Sequence, residues 1–442
     1  MTAPASSPRP SLPGGHPFSL EERLAKVLDA ADPLAAYRRE FVLPGAGRVY
    51  LLGNSLGPMP QGVPEEIGRL LEEWGRHGVE GFTEGNPAWM RYADELGERL
   101  SHVVGAHADE VVAMNTLSVN IQLMLASFYR PSGRRRKVVM EEKAFPSDVY
   151  AVRSHLGLRG ADPEADLVWA RPRAGETALR TEDVTGLIGE RRDQVALVFL
   201  GGVNYFSGQW FDLERITRAA HDAGALAGFD LAHAAGNVPL SLHDWGTDFA
   251  VWCSYKYLNA GPGAIGGAFV HERHAGDPAV PRLAGWWGNA EATRFAMRPA
   301  FDPAGGAAGW QLSTPPLLSL APLQLSLDLF ERAGMAALRH KSMALTAYLE
   351  SLLSTIPESG LTVITPVETG SRGCQLSLRV ARDARGVHQR LRQAGVVTDF
   401  RAPDVMRMAP APLFNTFHEI WRAARAVRDA VAATSASPGR TT

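Results

Sequence analysis

The chain has 442 residues, of which 45% are hydrophobic and 21% charged, and its formal net charge is -2 at pH 7. This composition is typical of a soluble globular protein of more than one domain. It argues against nucleic acid as a partner and, because no apolar stretch approaches the ~20 residues that cross a bilayer, against membrane insertion.

The N-terminal segment is rich in proline, serine and alanine and lacks an apolar signal core. We therefore expect residues 1–17 to be disordered and the protein to stay in the cytoplasm. The chain has two cysteines, Cys253 and Cys374, which form no disulfide framework and fit a reducing compartment.

Short apolar runs alternate with helical patterns through the middle of the chain, which predicts an α/β fold with a mostly parallel sheet. This sheet belongs to the larger of the expected domains. The runs cover residues 111–114, 138–140, 167–169, 195–200, 226–229, 249–252 and 264–270.

The C-terminal third has a different pattern. Pro315 and Pro316 precede an apolar helix over residues 317–330, as proline at a helix start allows. Helix, strand, helix and helix patterns then predict a smaller α+β domain. The expected division is a tail at 1–17, a large domain at 49–319 that contains the sheet, a small domain from 18–48 and 320–434, and a flexible tail at 435–442.

Asp230 and Lys256 follow two successive apolar strands, separated by a polar, helix-like segment. Such a βαβ unit brings both strand ends to one edge of the sheet, where ligands bind. A lysine that can form a Schiff base and an acid that can pair with a pyridinium nitrogen are what pyridoxal phosphate requires. An ordinary ion pair is the alternative, but the turn-rich residues 259–263 favour close approach to a ligand.

Leu117 and Ser118 follow the first strand of the predicted sheet and precede a helix. We expect Ser118 to be its N-cap, with free N–H groups and the helix dipole facing a phosphate, although simple helix capping fits the same residues.

Four histidines, His221, His243, His271 and His274, are expected to be structural, because no constellation of ligands surrounds them in the sequence. No His/Cys/Asp/Glu grouping has metal-ligand spacing, so we expect no metal.

Eight motifs occur in order along the chain: GNSLG (53–57), MNTLSVN (114–120), AFPSD (144–148), FDLAHAAGNV (229–238), HDWGTDFAVWCSYKYLNAGPG (243–263), GWWGN (285–289), STPP (313–316) and RMAPAPLFNTFHE (407–419). With these motifs the chain closely resembles the kynureninases, a family of fold-type I pyridoxal-phosphate enzymes. The resemblance extends from about residue 50 to 421, and FDLAH followed by WCSYKYLNAG is its most specific part.

The resemblance assigns catalytic roles to Lys256, Tyr255 and Asp230, and it assigns Arg407 to the substrate carboxylate. Trp286 and Thr314 match residues that reach the neighbouring subunit's site, which implies a homodimer. The cofactor-binding positions are Leu117, Ser118, Phe145, Pro146, Ser147, Asp148, Asp230, His233, Tyr255, Lys256, Trp286 and Thr314. The substrate-binding positions are Arg407, Ser55, Phe82, Trp287, Asn289 and Thr314.

The implied reaction is pyridoxal-phosphate-dependent hydrolysis of a carbon–carbon bond in L-kynurenine, giving anthranilate and L-alanine in tryptophan catabolism and the kynurenine pathway that supplies NAD biosynthesis. Phe82 and Thr314 stand where animal members have histidine and asparagine, which favours unsubstituted kynurenine over 3-hydroxykynurenine. Trp287 and Asn289 also differ from the family pattern, so a substrate with a modified aryl ring remains an alternative.

Two other functions compete with this one. A cysteine desulfurase or selenocysteine lyase would need Cys374 on a mobile loop, whereas its neighbours alternate as a strand does. A catalytically silent pyridoxal-phosphate-binding regulator would not need the intact lysine, aspartate and arginine, and no DNA-binding motif supports it.

Overall fold

The structure, a computed structural model, describes residues 18–277, 279–356 and 360–435. The tail expected at residues 1–17 lies outside this part of the chain, as do residues 436–442 of the tail expected at 435–442, whereas Ser435 is the last residue of a helix. Contacts divide the protein into two compact units. The smaller unit contains the described residues of Met1–Asn54, Phe206–Gly208 and Ala336–Thr442, and the larger contains those of Ser55–Tyr205 and Gln209–Met335.

The helices and strands are numbered in chain order. The helices are α1 (Glu22–Ala30), α2 (Val63–His77), α3 (Gly81–Glu84), α4 (Trp89–Val104), α5 (Leu117–Phe128), α6 (Pro146–Leu158), α7 (Thr181–Glu190), α8 (Leu213–Asp222), α9 (Glu272–Ala275), α10 (Glu291–Arg294), α11 (Leu317–Ala333), α12 (Met335–Leu353), α13 (Ala384–Gln393) and α14 (Phe417–Ser435). The strands are β1 (Phe41–Val42), β2 (Val49–Tyr50), β3 (Met59–Pro60), β4 (Val111–Ala113), β5 (Lys137–Glu141), β6 (Leu167–Ala170), β7 (Val195–Gly201), β8 (Leu226–Asp230), β9 (Phe249–Cys253), β10 (Gly266–Val270), β11 (Leu361–Val363), β12 (Leu376–Val380), β13 (Val396–Val397), β14 (Asp399–Arg401) and β15 (Val405–Met408).

The larger unit is built on a seven-stranded sheet with the order β4-β10-β9-β8-β7-β5-β6. Strand β10 runs antiparallel to both of its neighbours, and the other pairs are parallel. The predicted α/β fold with a mostly parallel sheet is thereby confirmed. All seven apolar runs identified in the sequence coincide with strands, because a sheet covered on both faces buries every residue of its central strands.

Aromatic rings fill the space between the central strands and α5. Phe249, on β9, stacks on Phe128 with ring centroids 4.8 Å apart and on Phe199 at 6.0 Å. Trp310 continues the stack on Phe128 at 6.2 Å, and its indole N–H donates to Ser127 Oγ. Offset stacks of this kind add stability beyond the area that they bury.

The connection between β8 and β9 differs from the prediction. The two strands are parallel neighbours, as expected of a βαβ unit, but residues 231–248 form turns and no helix. Gly236 and Gly246 adopt positive φ angles of 76° and 66°, and Pro239 lies between them. These residues interrupt helical backbone, so the polar spacing in this segment is not helical amphipathicity.

Helix α11 was expected to begin the change to the small domain, but it lies in the larger unit. It packs against α2 and α4, and Arg99 of α4 forms ion pairs with Asp328 and Glu331 of α11. The apolar stripe of α11 is therefore buried within the larger unit, which its sequence periodicity alone did not indicate.

The smaller unit has a four-stranded antiparallel sheet with the order β11-β12-β15-β14. Helices α1, α12, α13 and α14 contribute to its apolar core. A buried ion pair joins Lys341 on α12 to Asp32 at 2.7 Å. Among the described residues, no helix combines the length and the apolarity that a membrane crossing requires.

We predict that Gly228→Ala destabilises the larger unit. Gly228 pairs with Phe249 across β8 and β9, and an added Cβ would lie 2.1 Å from the phenylalanine ring. Overpacking of this kind costs about 1–3 kcal/mol. Gly157→Ala in α6 is the matched control, because its Cβ would meet nothing within 4 Å and should stabilise the helix by about 0.5–1 kcal/mol.

Denaturant unfolding of both variants, followed by circular dichroism, measures the difference. A Gly228→Ala protein whose unfolding midpoint equals that of the parent would contradict the packing described for Phe249.

Candidate active site

Asp230 and Lys256 lie at the same edge of the seven-stranded sheet. Asp230 is the last residue of β8, and Lys256 follows the end of the parallel neighbour β9 by three residues. The Asp230 carboxylate accepts a hydrogen bond from the backbone N–H of Ala232 at 2.8 Å, which fixes its orientation. The carboxyl ends of parallel strands are where ligands bind in sheets of this type.

Lys256 is buried, with 8% of its surface exposed, and forms none of the ion pairs found among the described residues. Its Nζ lies 5.7 Å from the centroid of the Phe145 ring and 5.9 Å from that of Tyr255. A buried amine between aromatic faces is suited to covalent attachment of a flat ring.

Three buried carboxyl groups surround the base of this cleft: Glu141 at the end of β5, Asp148 on α6 and Asp230. Burial, followed by repulsion from Asp230 and a hydrogen bond to it, raises the pKa of Asp148 well above its usual range. One carboxyl oxygen of Asp148, Oδ1, has no hydrogen-bond partner within the described chain.

The sequence analysis missed Glu141. Both of its carboxyl oxygens accept from the backbone N–H of Gly201, at 3.2 and 3.3 Å. Burial raises the pKa of Glu141 to about 7, and the neighbouring charge of Asp230 adds to this effect. An acid at the end of an apolar strand is the signal that would have identified it, since Asp230 stands out for the same reason.

Two helix N-termini converge beside this cleft. Helix α5 begins at Leu117 and α6 begins at Pro146, and the hydroxyl oxygens of Ser118 and Ser147 lie 3.1 Å apart. The first N–H groups of a helix lack intrahelical partners, so two such ends with two hydroxyls suit a phosphate. The expectation that Ser118 is the N-cap is wrong: Thr116, which has extended backbone, occupies that position, and Ser118 lies in the first turn.

The GNSLG motif packs against the lysine turn. The backbone N–H of Gly57 donates to Tyr255 O at 2.8 Å. A Cβ at Gly57 would lie 2.2 Å from Asn259 Oδ1 and 2.4 Å from Lys256 O, so only glycine fits. Ser55, two residues earlier, is half-buried.

His233 and Phe145 lie in a chain of aromatic contacts. Phe145 meets Tyr205 edge to face with centroids 5.1 Å apart, and Tyr205 lies 6.5 Å from His233. His233 also contacts Tyr257 at 6.2 Å. The edge-to-face contact with Tyr205 fixes the orientation of the Phe145 ring beside Lys256.

Tyr255 and Cys253 lie on either side of the strand end. Burial raises the pKa of Tyr255 above its usual value, so its phenol keeps its proton near neutral pH and can donate it. Burial raises the pKa of the Cys253 thiol to about 11. Cys253 is therefore an unreactive small hydrophobe.

Phe82 and Thr314 line one apolar pocket of about 430 Å³ with Trp74, Trp89 and Pro316. The Phe82 ring also lies 6.3 Å from that of Trp287, which is almost completely buried. The pocket has the size and apolar lining of a site for an aromatic ring.

Trp286 and Asn289 are engaged within their own segment. The Trp286 indole N–H donates to Arg294 O at 3.3 Å, although 47% of the residue is exposed. The Asn289 amide donates to Thr293 Oγ1 at 3.1 Å and accepts from the backbone N–H of Asp302 at 2.9 Å. With both ends of its amide occupied, Asn289 shapes this segment.

Arg407 lies in the smaller unit, on β15, and its guanidinium forms an ion pair with Asp399 on β14. It is almost completely buried. Cys374, in the same unit, is also fully buried just before β12, so it does not occupy the mobile loop that a desulfurase requires.

The histidines expected to stand alone do not. His221 and His274 lie 2.9 and 2.7 Å from the buried carboxylate of Asp248. His243 and His271 lie 3.0 and 3.4 Å from that of Glu110. Spacing in the sequence did not reveal these clusters because their members come from distant segments.

Comparisons with known proteins agree with this geometry. The sequence profile of the kynureninase C-terminal domain matches residues 338–427. The kynureninase of Myxococcus xanthus is 52% identical over 409 residues, covering 92% of this chain and 96% of that protein. The kynureninase of Salinispora tropica is 49% identical over 423 residues, covering 94% and 97%.

Solved structures show the same fold at low identity. A mutant of C-DES with glycine covalently linked to its PLP cofactor matches with a TM-score of 0.75 and 18% identity, over 88% of this chain and 98% of that one. The cysteine desulfurase CsdA from Escherichia coli matches with a TM-score of 0.74 and 17% identity, over 91% and 99%. These neighbours establish the fold alone.

We predict that Gly57→Ala lowers occupancy by pyridoxal phosphate, because the new methyl group displaces the backbone of Lys256 and Asn259. Gly68→Ala in α2 is the matched control, since its Cβ would meet nothing within 4 Å. Bound cofactor per chain, measured by absorbance after gel filtration, should fall in the first variant alone. Equal occupancy in both variants would show that the contact does not position the lysine.

Proposed function

The chain belongs to the kynureninase family, and we propose from this membership that it hydrolyses L-kynurenine to anthranilate and L-alanine with pyridoxal phosphate as its cofactor. The observation that carries the proposal is the buried, ion-pair-free Lys256 at the same sheet edge as Asp230. Relatives about 50% identical over most of the chain bear the name of this activity.

The residues at this edge fit the cofactor. Lys256 would hold its aldehyde carbon, Phe145 would lie against its ring, and Asp148 and Asp230 would bond its ring nitrogen. The buried carboxyl group of Asp230 would pair with a cationic ring nitrogen beside Lys256. The phosphate would lie between the N-termini of α5 and α6.

When bound, the cofactor withdraws the electron pair that remains after a proton leaves the substrate's α-carbon. Lys256 is the base that removes this proton, because its amine lies in a largely dry cleft beside the ring position. Asp230 keeps the ring nitrogen protonated, which is the condition for that withdrawal.

The later steps use water and a proton donor. Water adds to the γ-carbonyl carbon, the bond between the β- and γ-carbons breaks, and the aryl carboxylic acid departs. Tyr255 supplies a proton to the carbon that remains, since its phenol is protonated at neutral pH. The products account for all atoms of kynurenine and water.

Arg407 is proposed to bind the α-carboxylate of the substrate, because a guanidinium can hold two carboxylate oxygens at once. Its ion pair with Asp399 would fix the orientation of its planar group. Ser55 would contribute a hydroxyl on the substrate side of the lysine turn.

The assembly is proposed to be a homodimer in which each subunit completes the other's site. Support comes from the exposed Trp286 and Thr314, and from the large apolar side chains Trp74 and Leu318, which are 61% and 42% exposed at the pocket of Phe82. A second subunit would cover them. We further propose that the enzyme acts in the cytoplasm, in the tryptophan catabolism that leads to NAD biosynthesis.

Asp230→Asn should retain bound pyridoxal phosphate but slow exchange of the α-proton. A neutral amide does not stabilise the protonated ring nitrogen, and loss of one such electrostatic contact costs about 100-fold or more. Exchange into L-alanine in deuterium oxide, followed by NMR, measures the step without the rest of the reaction. Asp244→Asn, an exposed aspartate of the same connection, is the control. Unchanged exchange in Asp230→Asn would remove this carboxylate from the role.

The pocket of Phe82 and Thr314 is proposed to hold the aryl ring and to favour kynurenine over 3-hydroxykynurenine. The imidazole and amide groups that animal members have at these two positions are absent. A 3-hydroxyl group on the ring would therefore lose its hydrogen bonds to water without replacement by them, at a cost of about 1–3 kcal/mol. Phe82→His with Thr314→Asn should narrow or reverse the preference in kcat/KM.

Rates for both substrates on both proteins decide the matter. Preference of the parent for 3-hydroxykynurenine, or an unchanged ratio in the double variant, would assign specificity to other residues, first Trp287 and Asn289.

A further inference from the structure

The sheet edge opposite Lys256 carries a cluster that the proposed reaction does not use. His107 and Glu110 lie just before β4, His243 lies in the connection that precedes β9, and Glu272 begins α9 directly after β10. Because β10 runs antiparallel to β4 and β9, these three points meet at the amino-terminal end of β9. One ligand atom from each of the four residues lies within 4.8 Å of the others.

The distances within the cluster match a small coordination sphere. His243 Nδ1 lies 3.0 Å from a Glu110 oxygen, and His107 Nδ1 lies 3.5 Å from Glu272 Oε2. Metal–ligand bonds of about 2.0–2.1 Å in a tetrahedron give ligand atoms roughly 3.3–3.4 Å apart, which these two values bracket.

The cluster combines the two ligand types that a transition-metal ion uses. The carboxylates of Glu110 and Glu272 lie with the imidazoles of His107 and His243, whose rings stack with centroids 3.7 Å apart. A single divalent ion would balance both carboxylates and take one nitrogen from each imidazole.

Surrounding groups orient the ligands. The buried Glu110 carboxylate accepts from the backbone N–H groups of His107 and Glu272 at 3.0 and 2.8 Å, and His271 Nδ1 lies 3.4 Å away. His107 and Glu272 are exposed and provide an entry path.

We propose that His107, Glu110, His243 and Glu272 bind one divalent transition-metal ion, for which Zn²⁺ is the best match. Two imidazole and two carboxylate ligands favour zinc over calcium or magnesium, which prefer oxygen ligands alone. The ion ties together the ends of β4, β9 and β10, so its role is structural. This inference replaces the expectation, drawn from sequence spacing, that the chain binds no metal.

The test uses tag-free holoenzyme that has been treated with a chelator and then titrated with Zn²⁺ in a calorimeter. We expect one ion per chain and a thermal midpoint that rises with zinc concentration. His107→Gln with Glu272→Gln should weaken binding by at least about tenfold and abolish the rise. His102→Gln with Glu95→Gln, an exposed pair on α4 outside the cluster, is the matched control and should bind like the parent.

The visible spectrum with Co²⁺ and the activity of the ligand variant provide two further measurements. Co²⁺ in place of zinc should give the visible absorption of a tetrahedral site in the parent and in the control, and not in the ligand variant. The ligand variant should still cleave kynurenine, because the cluster is remote from Lys256. A parent that binds no zinc, or a ligand variant that binds zinc as tightly as the parent, overturns the proposal.

Discussion

The structure depends on the burial of several carboxyl groups next to a single lysine. Glu141, Asp148 and Asp230 end or follow strands of one sheet, and each is almost completely removed from water. Buried carboxylates without compensating charge are unstable, which is why burial raises the pKa of Asp148 and of Glu141. Under the proposed function, a protonated ring nitrogen bound beside Asp230 would be stabilised by this cluster. Cofactor binding and acid–base chemistry would then depend on one electrostatic constraint.

The two edges of the sheet differ in structure. The carboxyl edge presents loops, helix N-termini and glycines such as Gly57, where backbone must approach the lysine turn closely. The opposite edge is held by buried acids surrounded by histidines, Asp248 and Glu110, each with several partners. These contacts connect the strands whose opposite ends lead to Asp230 and Lys256.

Much of this arrangement is readable from local sequence. Apolar runs predict the seven central strands, because strands buried on both faces leave a continuous apolar signal. The placement of Asp230 and Lys256 after two such runs predicts their shared edge, and the ordered motifs identify the family. The spacing of polar residues in the connection between them predicted a helix. Its glycines and proline, which interrupt helices, indicated the turns that the structure contains.

Other features depend on contacts that no local pattern contains. Glu141 belongs to the buried carboxyl cluster because Gly201 and Asp230 lie beside it on neighbouring strands. The cluster of His107 and His243 joins residues more than a hundred positions apart, so the spacing of residues within a motif does not predict it. Helix α11 belongs to the larger unit because it packs against α2 and α4. Its apolar periodicity predicts a helix but not the elements against which that helix packs.

The most direct test of the central claim is to reduce the purified protein with borohydride and to map the labelled peptide by mass spectrometry. The account predicts that one pyridoxyl group per chain is attached to Lys256, within the sequence SYKYLNAG. A label on another lysine, or no label in a protein that retains its fold, would contradict it.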